Sequence, residues 1–253
     1  MLITFLGTGA SQGVPTVACQ CEVCRSLDFR DKRLRSSIHL SINNKSIIID
    51  VGPDFRQQML REQINSLDAI LFTHEHKDHT GGLDDIRGFN FKQKKPIPVY
   101  TRTNVSVELK KTYNYIFAKD AYSAIPQIKV NIIEDQPFFI DTIAVVPIDV
   151  FHYKLPVLGF RFSNFTYITD ANFIAEEALE KIKGSTILVV SALQKAPHKS
   201  HFNLKQAIEL AQQVKAKETY LTHISHKLGL YKEISKELPR SIKLAYDGLK
   251  IIL

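Results

Sequence analysis

Thr73-His74-Glu75-His76-Lys77-Asp78-His79-Thr80-Gly81-Gly82 follows directly on the apolar stretch Ala69-Ile70-Leu71-Phe72. Three imidazoles and the Asp78 carboxylate fall within His74–His79, and packing alone gives no reason to crowd them together. Neutral imidazole and carboxylate are the ligands that zinc, manganese and iron prefer. A buried strand that ends in H-x-H-x-D-H is therefore a place for metal chemistry, and a merely solvated polar loop is the weaker account.

On both sides of that run, short β-branched stretches alternate with amphipathic ones, the signature of a layered protein with both sheet and helix. Strands are expected at Leu2–Leu6, Ser37–Ile42, Ser46–Val51, Ala69–Thr73, Ile97–Tyr100, Ile143–Ile148, Leu158–Phe162, Phe165–Thr169, Thr186–Ser191 and Thr219–Thr222. Asn43-Asn44-Lys45 and Ser163-Asn164 each join two of these as antiparallel hairpins, since Asn tolerates the left-handed backbone of tight turns. Asp54 with Gln57 resembles a capping box opening a helix over Phe55–Gln63. Asn172 is expected to cap a second helix that stops at Gly184, and Leu204, Ala207, Ile208, Ala211 and Val214 form the apolar stripe of a third. A weaker pattern predicts a helix over Asn104–Ala118. With no internal repeat or long polar linker, residues 1–253 read as a single domain.

The 44% hydrophobic content of the 253 residues suffices for a substantial core. A net charge of +7 and a pI near 9.2 favour anionic ligands and permit nucleic-acid binding without demanding it. The lysines are dispersed, and the densest cluster, Lys92-Gln93-Lys94-Lys95, reads as a solvated loop. Apolar runs such as Thr186-Ile187-Leu188-Val189-Val190 are too short to span a bilayer, and the N-terminus lacks a basic n-region. Neither export nor membrane anchoring is expected. All three cysteines lie in Cys19-Gln20-Cys21-Glu22-Val23-Cys24, an odd and bunched set that suits a metal knuckle at about residues 18–26 in a reducing cytoplasm better than a disulfide framework.

The strand, H-x-H-x-D-H and the following Gly-Gly-Leu resemble the central motif of the metallo-β-lactamase superfamily. The likeness continues in order through Ile48-Ile49-Asp50-Val51-Gly52, Phe151-His152-Tyr153, Tyr167-Ile168-Thr169-Asp170 and Tyr220-Leu221-Thr222-His223. The resemblance implies an α+β fold, a four-layer αββα sandwich whose strand-end loops hold two metal ions. It implies that His74, His76 and His152 bind one ion, that Asp78, His79 and His223 bind the other, and that Asp170 bridges both. Two such cations share an attacking hydroxide and clamp the attacked and departing oxygens, with Asp78 also placed to orient the hydroxide. Asp50 is expected to fix a ligating histidine or its loop. Zinc, manganese and iron all suit this mixed ligation.

Both aspartates together are typical of the phosphodiesterase branch. Cys-x-Cys-x-x-Cys is similar to the knuckle of the phosphoribosyl cyclic phosphate phosphodiesterases of phosphonate breakdown, where a C-terminal histidine completes a structural zinc. Here that histidine is His226, giving Cys19, Cys21, Cys24 and His226 as a closed tetrahedral set. Two histidines three apart on an extended chain point to opposite sides, so one segment can serve two metal sites. The opening Phe5-Leu6-Gly7-Thr8-Gly9-Ala10-Ser11-Gln12-Gly13-Val14-Pro15 also resembles that group, and its glycines can present backbone N–H groups to a ligand. Asp50-Val51-Gly52-Pro53-Asp54-Phe55-Arg56-Gln57-Gln58 resembles both that group and the pyrroloquinoline quinone accessory protein.

In this branch, and in transfer RNA 3′-processing ribonucleases, a histidine just ahead of the helix before the last metal-ligand strand acts as general acid or contacts the phosphate. Ser200-His201-Phe202-Asn203-Leu204 makes His201 the candidate, with His198 its competitor. His39, Arg87 and Tyr231 receive no role. The implied activity is metal-dependent hydrolysis of small, cyclic phosphodiesters. Alternatives are a transfer RNA 3′-end endonuclease, disfavoured because no protruding Gly/Pro-rich arm is found, and a non-catalytic accessory protein. The resemblance also allows a homodimer paired through the zinc loop.

Overall fold

The chain divides into two compact units, one made of Met1–Leu6, Ser37–Glu134 and Lys250–Leu253, the other of Gly7–Ser36 and Asp135–Leu249. The computed structural model describes residues 1–118 and 124–253.

In the first unit the strands are β1 (Leu2–Gly7), β2 (Ser37–Ile42), β3 (Lys45–Ile49), β4 (Ala69–Leu71), β5 (Ile97–Thr101), β6 (Ile128–Ile132) and the C-terminal β15 (Lys250–Ile252), in the order β15-β1-β2-β3-β4-β5-β6. Asn43 and Asn44, at φ 48° and 61°, make the expected β2–β3 turn, and Ile42 pairs with Lys45 across it. From β3 to β6 the pairing is parallel. Parallel neighbours end at the same edge of a sheet, so the loops leaving β3 and β4 start side by side. Ile48, Ile70 and Val99 form one core with Phe55 and Met59 of α2 (Phe55–Glu62), Phe89 of α4 (Arg87–Gln93) and Val105 and Leu109 of α5 (Thr103–Thr112). The short α3 (Lys77–Thr80) lies within the histidine run, and a four-residue α1 (Glu22–Arg25) belongs to the second unit.

Two expectations for these helices need correction. Asp54 does stand at the N-cap of α2 but makes no side-chain cap: its backbone, at φ −90° and ψ 2°, is not the extended conformation from which a capping oxygen reaches the first free amides. The helix expected over Asn104–Ala118 stops at Thr112. Tyr113 leaves the helical region there, and its buried hydroxyl donates to the Thr80 carbonyl at 2.8 Å. Sequence reading missed strand β6, although Ile128-Lys129-Val130-Asn131-Ile132 alternates apolar and polar residues as a half-exposed strand does.

The second unit contains β7 (Phe138–Ile140), β8 (Ile143–His152), β9 (Leu155–Phe162), β10 (Phe165–Ile168), β11 (Phe173–Ile174), β12 (Ile187–Ser191), β13 (Glu218–Thr222) and β14 (Ile242–Leu244). They run in the order β11-β8-β9-β10-β12-β13-β14, with β7 paired to β8. Antiparallel pairing of β8 with β9 and of β9 with β10, then parallel pairing from β10 through β14, makes β8, β10, β12 and β13 end at one edge. Ile148, Leu188, Val190 and Leu221 pack with Leu179 of α6 (Glu176–Ile182), Ala207, Leu210 and Ala211 of α7 (Leu204–Val214) and Ile234 of α8 (Tyr231–Glu237). The α7 stripe is as expected, and Asn203 with Gln206 forms a true capping box.

Asn172 caps no helix. The residues after it pair as β11 with β8, and its side chain accepts from the Tyr153 N–H (2.6 Å) and donates to the Lys199 carbonyl (3.1 Å). Helix α6 therefore begins only at Glu176. No described helix is long and apolar enough to cross a membrane.

Candidate metal centres and their loops

The loops after β3 and β4 gather Asp50 and the histidine run. Asp50 is fully buried in a left-handed conformation (φ 64°), a region open mainly to Gly, Asn, Asp and His. One oxygen accepts from the Thr73 N–H at 2.9 Å, and the other accepts from the Thr73 hydroxyl at 2.8 Å and faces His79 Nδ1 at 2.7 Å. Burial pushes the Asp50 carboxyl up, and the contacts with His79 and Thr73 pull it back toward the ionised form. A carboxylate at Nδ1 fixes that nitrogen as the protonated one, so Nε2 keeps its lone pair. His79 Nε2 lies 3.3 Å from Asp78 Oδ2. His74 Nδ1 meets the Thr73 hydroxyl at 2.9 Å while its Nε2 faces His76 Nδ1 at 3.0 Å. His74, His76, Asp78 and His79 thus present ligand-type atoms toward one another. The two loops are laced by backbone bonds, Val51 N–H to the His79 carbonyl (2.8 Å) and Gly82 N–H to the Val51 carbonyl (2.9 Å). Only glycine fits at position 82, where a Cβ would stand 2.1 Å from the Gly52 carbonyl oxygen.

The second unit brings together His152, Asp170, His201 and His223. Asp170 and His223 follow β10 and β13 and, like Asp50, have positive φ (49° and 53°). These left-handed strand ends turn the side chains sharply off the sheet edge, a local strain that the surrounding fold sustains. Asp170 Oδ1 lies 3.2 Å from His223 Nε2 and 3.7 Å from His201 Nδ1, and Thr169 donates to the other oxygen at 2.7 Å. The His201 ring stacks on His223 (5.0 Å, 19°) and stands edge-on to His152 (4.4 Å). His201 is only 7% exposed, whereas His198, 5.2 Å away, is exposed. Burial, together with the neighbouring imidazoles, pushes His201 down to about 3, and Asp170 is the neighbour that opposes this. Ligand atoms of His152, Asp170 and His201 come within 4.8 Å of one another, so geometry alone also admits His201 as a ligand.

A separate cluster holds Cys19, Cys21, Cys24 and His226. Their sulfurs lie 3.3, 3.3 and 3.6 Å from His226 Nδ1. The Cys24 backbone N–H, then His226, lower exposed Cys21 to about 6, and burial raises Cys24 to about 11. A bound divalent cation deprotonates such thiols outright. The segment joining His223 to His226 is not the extended chain expected. His223 turns left-handed, Ile224 bridges to Thr8 and Ala10 by backbone bonds, and the Leu228 N–H closes a turn on the Ser225 carbonyl.

Beside this turn a cavity of about 350 Å³ is lined by Gln12, Gly13, His198, His201, His226 and Lys227. The glycine-rich turn therefore faces a cavity next to His201. Sequence reading missed what anchors that turn. Arg33, 4% exposed, donates to the Thr8 hydroxyl and the Ala245 carbonyl, both at 2.7 Å. Burial pushes its guanidinium down to about 10, against the pull of Asp247 and Asp31. In Lys32-Arg33-Leu34-Arg35 it reads as surface charge, and only its partners, distant in sequence, show otherwise.

The family model described as "Beta-lactamase superfamily domain" matches residues 45–224. An octanoyltransferase of Porphyromonas gingivalis is 40% identical over 256 residues, covering 100% of this chain and 52% of that protein. The chain thus spans about half the length of that relative. A solved structure described as a new diphosphatase from the PhnP family has a TM-score of 0.93 and 38% identity, covering 100% of this chain and 97% of its own. Zn(2+)-bound PqqB from Methylobacterium extorquens shares the fold, with a TM-score of 0.80, 19% identity and full coverage of both chains. The chain belongs to the metallo-β-lactamase superfamily, with the α+β fold of that class and with His/Asp and Cys/His groups that could hold metal ions. Within the superfamily it resembles the PhnP family.

Proposed function

We propose that this chain is a dinuclear metal-dependent phosphodiesterase acting on small substrates of the cyclic phosphodiester class.

 Of the observations above, the one that carries this reading is the placement of His201: buried, stacked on His223 and 3.7 Å from Asp170, at the wall of a ligand-sized cavity. The donors fit the implied metals. His79 has its Nδ1 engaged by a buried carboxylate, the arrangement that prepares a histidine Nε2 for a cation. We assign His74, His76 and His152 to one ion, Asp78, His79 and His223 to the other and Asp170 to both, with zinc, manganese or iron as the metal. Bound there, divalent cations offset the charge of the phosphoryl group and lower the pKa of an attacking water.

The remaining roles fall to the chain's own side chains. Asp78 orients the attacking water, and Asp50 holds His79. His201 delivers a proton to the departing oxygen, a contribution of about 10²- to 10⁴-fold for a positioned general acid. In the free protein its surroundings favour the neutral ring, so protonation draws on Asp170 and on the negative charge of the arriving phosphodiester. His198, which is exposed, is the weaker candidate. Cys19, Cys21, Cys24 and His226 hold a structural zinc. Val17 and Leu27, 92% and 99% exposed in the same region, support a homodimer paired there.

The acyl transfer named for the Porphyromonas relative is not carried over to this chain, which spans about half of that protein. The test is turnover of an activated aryl phosphodiester and a panel of cyclic phosphates by metal-loaded protein, with His201→Ala as control. Loss of turnover with metal content retained is expected. Failure to cleave any of these substrates overturns the reading, and steeply salt-dependent binding of precursor transfer RNA redirects it to the endonuclease.

A further inference from the structure

In the first unit, α2 and α4 enclose a groove of about 450 Å³, a volume typical of small-ligand sites. Its walls follow the helical period: Arg56, Met59, Leu60 and Gln63 on one side, Asp85, Gly88, Phe89 and Lys92 on the other. Phe55 and Phe89, with ring centroids 6.2 Å apart, form an apolar floor, and Leu60 is 62% exposed beside it. A Cβ at Gly88 would meet nothing within 4 Å, so the groove is open there for want of a side chain.

The two ends differ in charge. A Cβ on Gly82 would stand 2.8 Å from the Phe55 Cβ, so the start of α2 lies by the turn leading into α4, and Arg56 and Asp85 share that end. At the other end Gln93 accepts from the Leu67 N–H (2.8 Å) and donates to its carbonyl (3.0 Å), which brings Lys92 to the side of Gln63 and Asn65. Asp85 is the sole acid in the lining, and no ion pair of Lys92 occurs among the described residues. The groove is therefore apolar along its length, charge-balanced at one end and cationic at the other.

We propose that this groove binds a medium-chain fatty carboxylate, its tail along Met59, Leu60 and Phe89 and its head at Lys92. From position 56 to position 63 the helix rises about 10 Å, the reach of roughly eight extended methylenes. Charge complementarity selects this occupant, since an alcohol leaves Lys92 unanswered and an amine is repelled by it.

Calorimetric titration of decanoate into the metal-loaded chain, below micelle-forming concentrations, tests the proposal, with decanol and decylammonium as counterparts. Saturable binding of decanoate is expected, about tenfold or more tighter than either counterpart. Lys92→Glu should reverse the preference between decanoate and decylammonium, and Gly88→Leu should abolish both by filling the groove. Both variants sit outside the histidine run and should retain the parent's metal content and melting midpoint. No saturable binding, equal affinity for all three probes, or binding that survives Gly88→Leu overturns the proposal. So does displacement of decanoate by an acidic amphipathic peptide that binds more tightly, which would give the groove to a protein partner.

Discussion

The histidine run and the cysteine knuckle are both built from metal-type donors, but in opposite ways. The run takes His74, His76, Asp78 and His79 from one strand-to-helix turn, with His74 and His79 fully buried. The knuckle joins a single loop to a histidine 207 residues from Cys19, and Cys21 is exposed. Hard, contiguous donors that do not complete a coordination shell leave room for a substrate, whereas three thiolates and an imidazole close theirs. A metal closed in between segments so distant would tie the chain together, because its binding energy exists only in the folded state. On the proposed function, the difference separates chemistry from stability.

The sharpest way to break that comparison is to damage each set in turn. Asp78→Ala should lower phosphodiester turnover by about 10²- to 10³-fold while leaving the melting midpoint nearly unchanged. Cys24→Ser should do the reverse: one tightly held metal is lost and the midpoint falls by roughly 6–12 °C for a loss of about 3 kcal/mol, with turnover below the transition within a few-fold of the parent. Turnover assays and scanning calorimetry on both variants decide it, and a Cys24→Ser protein that melts normally but fails to turn over erases the distinction. A smaller effect is expected at Asp50→Asn, which leaves the ligands in place but removes the charge that holds His79. Metal titration should show a loss of about 10- to 100-fold in affinity, and turnover should fall with it.

The last effect lies outside both donor sets and is confined to acid pH. His39, buried and facing the Ser46 hydroxyl at 2.9 Å, is pushed down to about 4 by burial, against an ordinary value of 6.5. A depressed histidine pKa means that the unfolded chain takes up the proton first, so stability is lost as pH falls from about 6.5 toward 4. Urea midpoints across that window should fall less steeply for His39→Gln, by at most about 3 kcal/mol in stability at the acid end. An unchanged slope would place the acid sensitivity in the donor sets instead.

Where a feature depended on neighbours in sequence, it could be read directly. The β2–β3 and β9–β10 hairpins, the apolar stripe of α7 and the histidine run were legible because turn residues, helical period and ligand spacing are local properties. Asp54 and Asn172 misled because spacing names a cap without fixing the backbone angles or the competing strand pairing that decide it. Thr73, which orients both Asp50 and His74, and Arg33, which anchors the glycine-rich turn, gave no signal, since what they hold is identifiable only in three dimensions. His226 was reachable only through resemblance to a family, for nothing in its own surroundings joins it to cysteines some 200 residues away.

The left-handed turn at His223 sets a fixed ruler. Two residues separate His223 from His226, and the backbone between them is spoken for by Thr8, Ala10 and Leu193. Inserting or deleting one residue there would misdirect at least one of the two imidazoles, so the two donor sets they belong to depend on one loop length. Chain length is thus constrained over a four-residue turn as well as in the strands of the core.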